Sequence, residues 1–419
     1  MIIGRLVSLS GRRLVATLGA LWLLVLVSIT VRAGAPGDST WVALGPLPGQ
    51  GHSAIFALAV DPANSRALVA GNSAGTLLRS VDGGMTWAAV HAGSSAVNTI
   101  AFGAAKSGLV LAGTRAGTLV SRDSGVTWSP AAGLEHRAVR AFGFALATMY
   151  AGTDQGVFAS QDGSTWSPGG LANRSIDSIA VEAIHAPVHL VAASDAAASG
   201  AGPQLYQSND GGQNWAPFSP AISGTFAVRV VAGPLPPTGN VRPLLVGTNA
   251  GLFGSADGGA TFATLSGAGI PSTDYTQLSF INGHYNRFYA GSDGGGSGAG
   301  GLWRSDDGGQ SFRSLEPPMP SITALAVSSD DAPVLYVAAF RPAGHVAALW
   351  VYHDTGGEPQ GPPVTPTPFA SAGRTSSTPA SFHLLDVLRA SQAPYIGLGA
   401  LALLVIATAA VAHLRGRRR

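Results

Sequence analysis

The 419-residue chain has no cysteine, and only 11% of its residues are charged. The first absence excludes a disulfide framework, thiolate metal sites and a cysteine nucleophile, so an exported fold must be held by packing alone. A concentrated basic surface is missing too. Residues 36–355 hold 14 Lys and Arg against 20 Asp and Glu, a net of −6, while the whole chain carries +2. The basicity therefore sits in the tails, and a mildly acidic body lacks the clustered cations of nucleic-acid binding. Phosphate loops and serine-hydrolase elbows are absent as well. Long helices are not expected between the ends, because 57 Gly and 27 Pro without a collagen period suit tight turns between short strands.

The long uncharged stretches lie at the two ends. Arg5, Arg12 and Arg13 precede an uncharged run from Leu14 to Val31, followed by Arg32 and Ala33-Gly34-Ala35. This is the order of a secretory signal, so residues 1–35 read as a signal peptide or, if uncleaved, an N-terminal anchor. Tyr395 to Ala412 is again uncharged and is followed by Arg415, Arg417, Arg418 and Arg419. Residues 395–414 are expected to span a membrane, with 415–419 as a basic cytoplasmic tail. Before them, 356–381 is a Pro/Ser/Thr-rich stalk, too poor in apolar residues to pack, and 382–394 is a juxtamembrane segment. Either fate of the first segment leaves residues 36–355 outside the cytoplasm.

That body repeats one octapeptide: SVDGGMTW from Ser80, SRDSGVTW from Ser121, SNDGGQNW from Ser208, SADGGATF from Ser255 and SDDGGQSF from Ser305. A copy from Ser160, SQDGSTW, is one residue shorter. The aspartates Asp82, Asp123, Asp162, Asp210, Asp257 and Asp307 stand 39 to 50 residues apart, a period that points to propeller blades. Around the first copy, IFALAV, ALVAGN, TLLRS and TWAAV read as four short strands. ITALAV, VLYVAAF and LWVYHDTGG repeat the scheme after the sixth copy, with Asp354 marking a degenerate seventh. Its missing strand is expected from STWVAL (Ser39 to Leu44), which resembles the second half of an octapeptide and would close the ring without an open edge. The fold class is all-β, a seven-bladed β-propeller with terminal helices.

The octapeptides resemble the Asp-box, or BNR repeat, S-x-D-x-G-x-T-W. The blade pattern AGNSAGTLLRSVDGGMTW is similar to that of single-propeller photosystem II assembly factors within the sialidase-like superfamily. This likeness implies the fold and leaves the chemistry open. The six aspartates read as structural, because each carboxylate has a local turn to hold.

Ligand contacts are instead expected on the opposite face, on loops between blades and between second and third strands. There the segment EHRAVR supplies Glu135, His136, Arg137 and Arg140; Arg174, Asp274 and Tyr275 complete the candidate binding set. No cofactor is expected, and no metal, since His185 and His189 in a strand and turn do not converge. These features describe a membrane-anchored surface module that binds or scaffolds a protein or glycan. The alternative is an exo-acting glycoside hydrolase of sialidase type, which the resemblance would equip with an R-I-P motif that this chain lacks.

Overall fold

The computed structural model describes residues 40–355 except 49–52, 104–107, 146, 183–187, 195–203, 219–221, 225–226, 238–240, 266–268, 296–299, 342 and 345. The signal or anchor segment, stalk, juxtamembrane segment and candidate transmembrane helix lie outside the described residues. Among the described residues no helix is long and apolar enough to cross a membrane.

Seven four-stranded antiparallel sheets make up the body. Blades 1 to 6 run over residues 55–92, 97–130, 139–168, 176–218, 227–264 and 277–314. Blade 7 combines Ile322–Val327, Val334–Arg341 and Val346–His353 with the first strand of the chain, Trp41–Ala43. Trp41 pairs with Tyr352, Val42 with Val351 and Ala43 with Trp350, so the expected closure by the start of the body is present. First strands touch their counterparts in both neighbouring blades, including blade 7 against blade 1, and the ring is complete.

The core is divided among the blade interfaces. Seven apolar clusters occur, one between each adjacent pair: Leu58, Leu68 and Leu78 meet Ala324 and Tyr336 between blades 1 and 7, for example. Second strands such as Val110–Thr114, Met149–Thr153 and Leu244–Thr248 are buried throughout. A sheet covered on both faces has no solvent side, so polar alternation disappears there. Their recurring glycine follows from close approach: a Cβ on Gly113 would lie 2.7 Å from Val139 Cγ1, and one on Gly152 would lie 2.9 Å from Ile176 Cγ2. Each glycine thus admits the first residue of the next blade.

Third and fourth strands are joined by the octapeptide turns. In the first, Asp82 Oδ1 accepts the Thr86 N–H at 2.9 Å and Oδ2 accepts the Thr86 hydroxyl at 2.6 Å. Ser80 donates to the same carboxylate at 2.8 Å and accepts the Gly84 N–H at 2.9 Å, while Trp87 Nε1 donates to the Gly84 carbonyl. Gly83 and Gly84 adopt φ of 77° and 85°, which favours glycine at both positions. The aspartate-to-turn bond recurs at Asp123, Asp162, Asp210, Asp257 and Asp307.

The seventh turn is split between the two ends of the body. Trp41 pairs with Tyr352, which stands two residues before Asp354 as Ser80 stands before Asp82, so Asp354 occupies the aspartate position and Trp41 that of the turn tryptophan. The carboxylate has no exposed surface; it accepts hydrogen bonds from Tyr289 Oη and Arg304 Nη1, both in blade 6. Trp41 Nε1 donates to the Leu315 carbonyl at 2.7 Å, again toward blade 6. Closure is therefore fastened sideways as well as by strand pairing.

Candidate functional site

The two ends of the ring differ in how their polar groups are used. At the octapeptide end the aspartates are spent on their own turns. Hydrogen bonds from Thr86 hold Asp82 down at about 2, and those from Asn214 hold Asp210 at about 2. Thr127 likewise keeps Asp123 well below the ordinary carboxylate value. A carboxylate so occupied offers little to a ligand.

The opposite end is formed by the starts of the first strands, the connections between blades and the hairpins between second and third strands. Two connections share one design. His136 and Asn173 adopt positive φ, 63° and 61°, and their N–H groups donate to Ala116 and Gln155 in the preceding blades. The next residues are Arg137 and Arg174, whose N–H groups donate to Leu134 and Leu171. The Arg137 guanidinium lies 4.9 Å from the centre of the Phe158 ring and that of Arg174 lies 5.7 Å from Tyr206. Phe158 and Tyr206 are equivalent positions of successive third strands, opposite Ala151 and Ala192. Two arginines are thus held alike on adjacent blades by a rigid loop and an aromatic face.

The remaining candidates serve different ends. Glu135 accepts the Gly133 N–H at 3.0 Å and, with His91, lines a cleft of about 200 Å³ between blades 1 and 2. Arg140 is drawn into the ring, where it pairs with Asp177 and Ser175 of blade 4. Tyr275 is fully buried beside Trp303 and donates to the Pro271 carbonyl, so it presents no surface at the mouth. Asp274 accepts from Ser292 at 2.9 Å and is hydrogen-bonded to Asp293. Burial and the neighbouring Asp274 push Asp293 up to about 7. Against burial, hydrogen bonds from Asp293, Ser292 and Thr273 keep Asp274 low. A retaining glycosidase separates its two carboxyl groups by about 5–5.5 Å and an inverting one by more, whereas these two share a proton in contact.

Sequence reasoning missed the ring around the central channel. In six blades the first strand begins with a β-bulge, and the extra residues are Phe56, Asn98, Arg140, Asp177, Val228 and Thr323. First strands expose one unpaired edge to the channel, and side chains of the preceding blade cap it. Asn98 donates to the Val139 carbonyl, Ser178 to Val230, Arg229 to Thr276, Gln277 to Thr323 and Thr323 to Ile55. Blade 1 carries Phe56 at the bulge instead, 41% exposed. A one-residue bulge leaves no mark in the repeat pattern, so these bulges and caps were not legible.

A larger cleft, about 570 Å³, opens at the octapeptide end between blades 4 and 5, lined by Glu182, His189, Asn209, Phe218 and Asp257 among others. His189 Nδ1 lies 2.5 Å from Glu182 Oε2, while Glu182 Oε1 is buried without a partner. His185 lies outside the described residues, and among those described no three metal-ligating side chains converge.

The fold and its mouth define a seven-bladed β-propeller with a polar, pre-shaped end. No protein-family model matches the chain, and no curated protein does. Solved structures do. YCF48 bound to a D1 peptide is 16% identical, with 75% of this chain and 94% of that one covered and a TM-score of 0.53. PorZ, a surface component of the type-IX secretion system of Porphyromonas gingivalis, is 10% identical over 71% of this chain and 36% of its own, with a TM-score of 0.50. The extracellular domain of the putative one-component system BT4673 from B. thetaiotaomicron is 13% identical over 74% and 39%, also at 0.50. The chain spans 55% of the length of an ancestral GH74 enzyme and of the Niastella koreensis GH74 enzyme that it also matches. At these identities the likeness shows the fold alone.

Proposed function

We propose that the protein is an extracytoplasmic propeller of the Asp-box class, tethered by residues 395–414 above a Pro/Ser/Thr-rich stalk, that binds a protein or glycan at the mouth. One observation carries this reading: Arg137 and Arg174 are held in the same way on adjacent blades, each fixed over an aromatic ring before any ligand arrives. Groups ordered in advance lose little freedom on binding, which favours recognition. Glu135, His136 and Asp274 lie on the same end and belong to the proposed surface, while Arg140 supports it from within. YCF48, a neighbour in fold, has been solved with a peptide bound, which is consistent with a propeller serving as a protein receptor.

Catalysis is less well supported. The carboxyl pair Asp274–Asp293 is in contact and Tyr275 is buried, so these three described residues do not supply a separated acid and nucleophile. The test is partner capture by the full-length protein on intact cells, read by proximity labelling and a glycan array, with Arg137→Ala/Arg174→Ala compared against Asp82→Ala. Capture falling at least about tenfold only in the arginine variant supports the reading. Equal loss in both variants, tracking stability, refutes it. Turnover of a fluorogenic glycoside by the wild-type chain would favour the hydrolase instead.

A further inference from the structure

The repeat supplies its own control for a charged pair at the octapeptide end. In blade 4 the last residue of the first strand, Glu182, pairs with the first residue of the second, His189. The same positions hold Gly103 and Leu109 in blade 2, Ala145 and Thr148 in blade 3, Gly233 and Pro243 in blade 5, and Ser328 and Val334 in blade 7. Four blades thus close there without charge, so the fold does not need the pair. Side chains alternate across a strand, which puts Glu182 and His189 on the face that Ala180, Val191 and Ala193 turn toward blade 5. There the apolar seam gives way to the cleft of about 570 Å³, which Asn209, Phe218, Val241 and Asp257 also line. The blade 5 turn packs on the two apolar members: a Cβ on Gly259 would lie 3.4 Å from Phe218 Cε2, and one on Gly258 2.8 Å from Val241 Cγ1.

The Glu182 side chain is only 9% exposed. Its Oε2 is taken by His189 Nδ1, whereas Oε1 is sealed from water and has no hydrogen-bond partner among the described residues. Asp257 adds a second negative charge: against burial, hydrogen bonds from Thr261 and Ser255 hold its pKa low. No Lys or Arg is among the described residues that line the cleft, and Arg242, next to Val241, donates to the Gly233 carbonyl at 2.9 Å. A carboxylate without water or a full set of donors is costly to keep, and a cleft walled by one sign of charge concentrates the other. With Nδ1 donating to Glu182, the neutral imidazole leaves Nε2 as a further acceptor. Negative charge and acceptors beside an aromatic ring are the complement of a cation that only donates. A metal ion is a poorer match, since no three ligating side chains converge among the described residues.

We infer that the cleft between blades 4 and 5 is a second binding site, which takes an organic cation, an ammonium or guanidinium group on an apolar stem. Glu182 supplies the counter-charge, and Phe218 and Val241 the wall for the stem. The site lies at the opposite end of the ring from the mouth and does not depend on the binding role proposed there.

The experiment uses the full-length protein in mild detergent, with Nα-acetylarginine amide, its uncharged citrulline analogue and cellobiose as probes, read by calorimetry and saturation-transfer NMR. The arginine derivative is expected to bind at least about tenfold tighter than the citrulline analogue, by a margin that shrinks in high salt. Glu182→Gln should erase that preference. So should Asn209→Lys, which brings a cation into the cleft from an exposed position and decides alone if urea unfolding shows Glu182→Gln to be unfolded. Arg137→Ala/Arg174→Ala should leave the preference intact, and its loss there would overturn the assignment to this cleft. Agmatine and a pentapeptide with one arginine among alanines separate a free amine from a protein side chain: the tighter of the two names the source, and failure of both overturns the inference. It is overturned equally by no binding of the arginine derivative, by equal binding of the citrulline analogue, by tighter binding of cellobiose, or by an unchanged preference in folded Glu182→Gln.

Discussion

Replacing Asp354 by alanine tests whether the ring depends on its split seventh turn. The carboxylate has no exposed surface and accepts from Tyr289 and Arg304, whose side chain is itself only 4% exposed. Truncation removes the hydrogen bonds from Tyr289 and from Arg304, a buried cation, whose pairing with Asp306, 36% exposed, is kept. Breaking one partner of a buried pair costs about 3–5 kcal/mol. A domain of ordinary stability holds about 5–15 kcal/mol in total, so closure would be severely weakened. Asp82→Ala is the control. It loses bonds at an open turn, where about 1–2 kcal/mol is expected. Urea unfolding of the full-length chain gives both values, provided the slope is unchanged. Restoring apolar contact with Asp354→Leu and Arg304→Met should recover part of the loss. A cost for Asp354→Ala within about 1 kcal/mol of that for Asp82→Ala would refute the reasoning.

Two further outcomes follow from the same geometry. Gly113→Ala places a Cβ 2.7 Å from both Thr99 Cγ2 and Val139 Cγ1, and the overpacking should cost about 1–3 kcal/mol in urea unfolding. Gly283→Ala is the contrast: nothing lies within 4 Å of its Cβ, so only the positive φ of 79° opposes it, and the loss should be smaller. Asp293→Asn should change the pH profile of stability. The folded chain holds a proton at Asp293 up to about 7, whereas the unfolded carboxyl releases it near about 4. Its contribution is therefore complete below pH 4 and drains as pH rises to 7. The depressed Asp274 acts oppositely, adding stability above pH 4 that is lost as its own low pKa is approached. The Asn variant should gain about 1–2 kcal/mol over wild type at pH 8, after discounting for partial exposure, and nothing at pH 4. An equal difference at both pH values would exclude the shared proton as its cause.

Repetition made the architecture legible before any coordinates. Five octapeptides and one shortened copy at blade spacing, with the degenerate turn at Asp354, imposed seven small sheets, and the half-turn at STWVAL told where the ring would shut, because a turn motif is a local property of consecutive residues. The face carrying Arg137 and Arg174 followed from strand order alone. Their matched stacking on Phe158 and Tyr206 did not, since it joins residues on different elements. The same limit hid the side chains that cap the first-strand edges, such as Asn98 on Val139 and Gln277 on Thr323. It also hid the burial of Tyr275, which its place beside Asp274 had put in the candidate binding set. Local sequence thus determined the strands, the turns and the closing strand. Tertiary structure alone decided which charges are cancelled, because neutralisation depends on distances between blades that lie far apart in the chain.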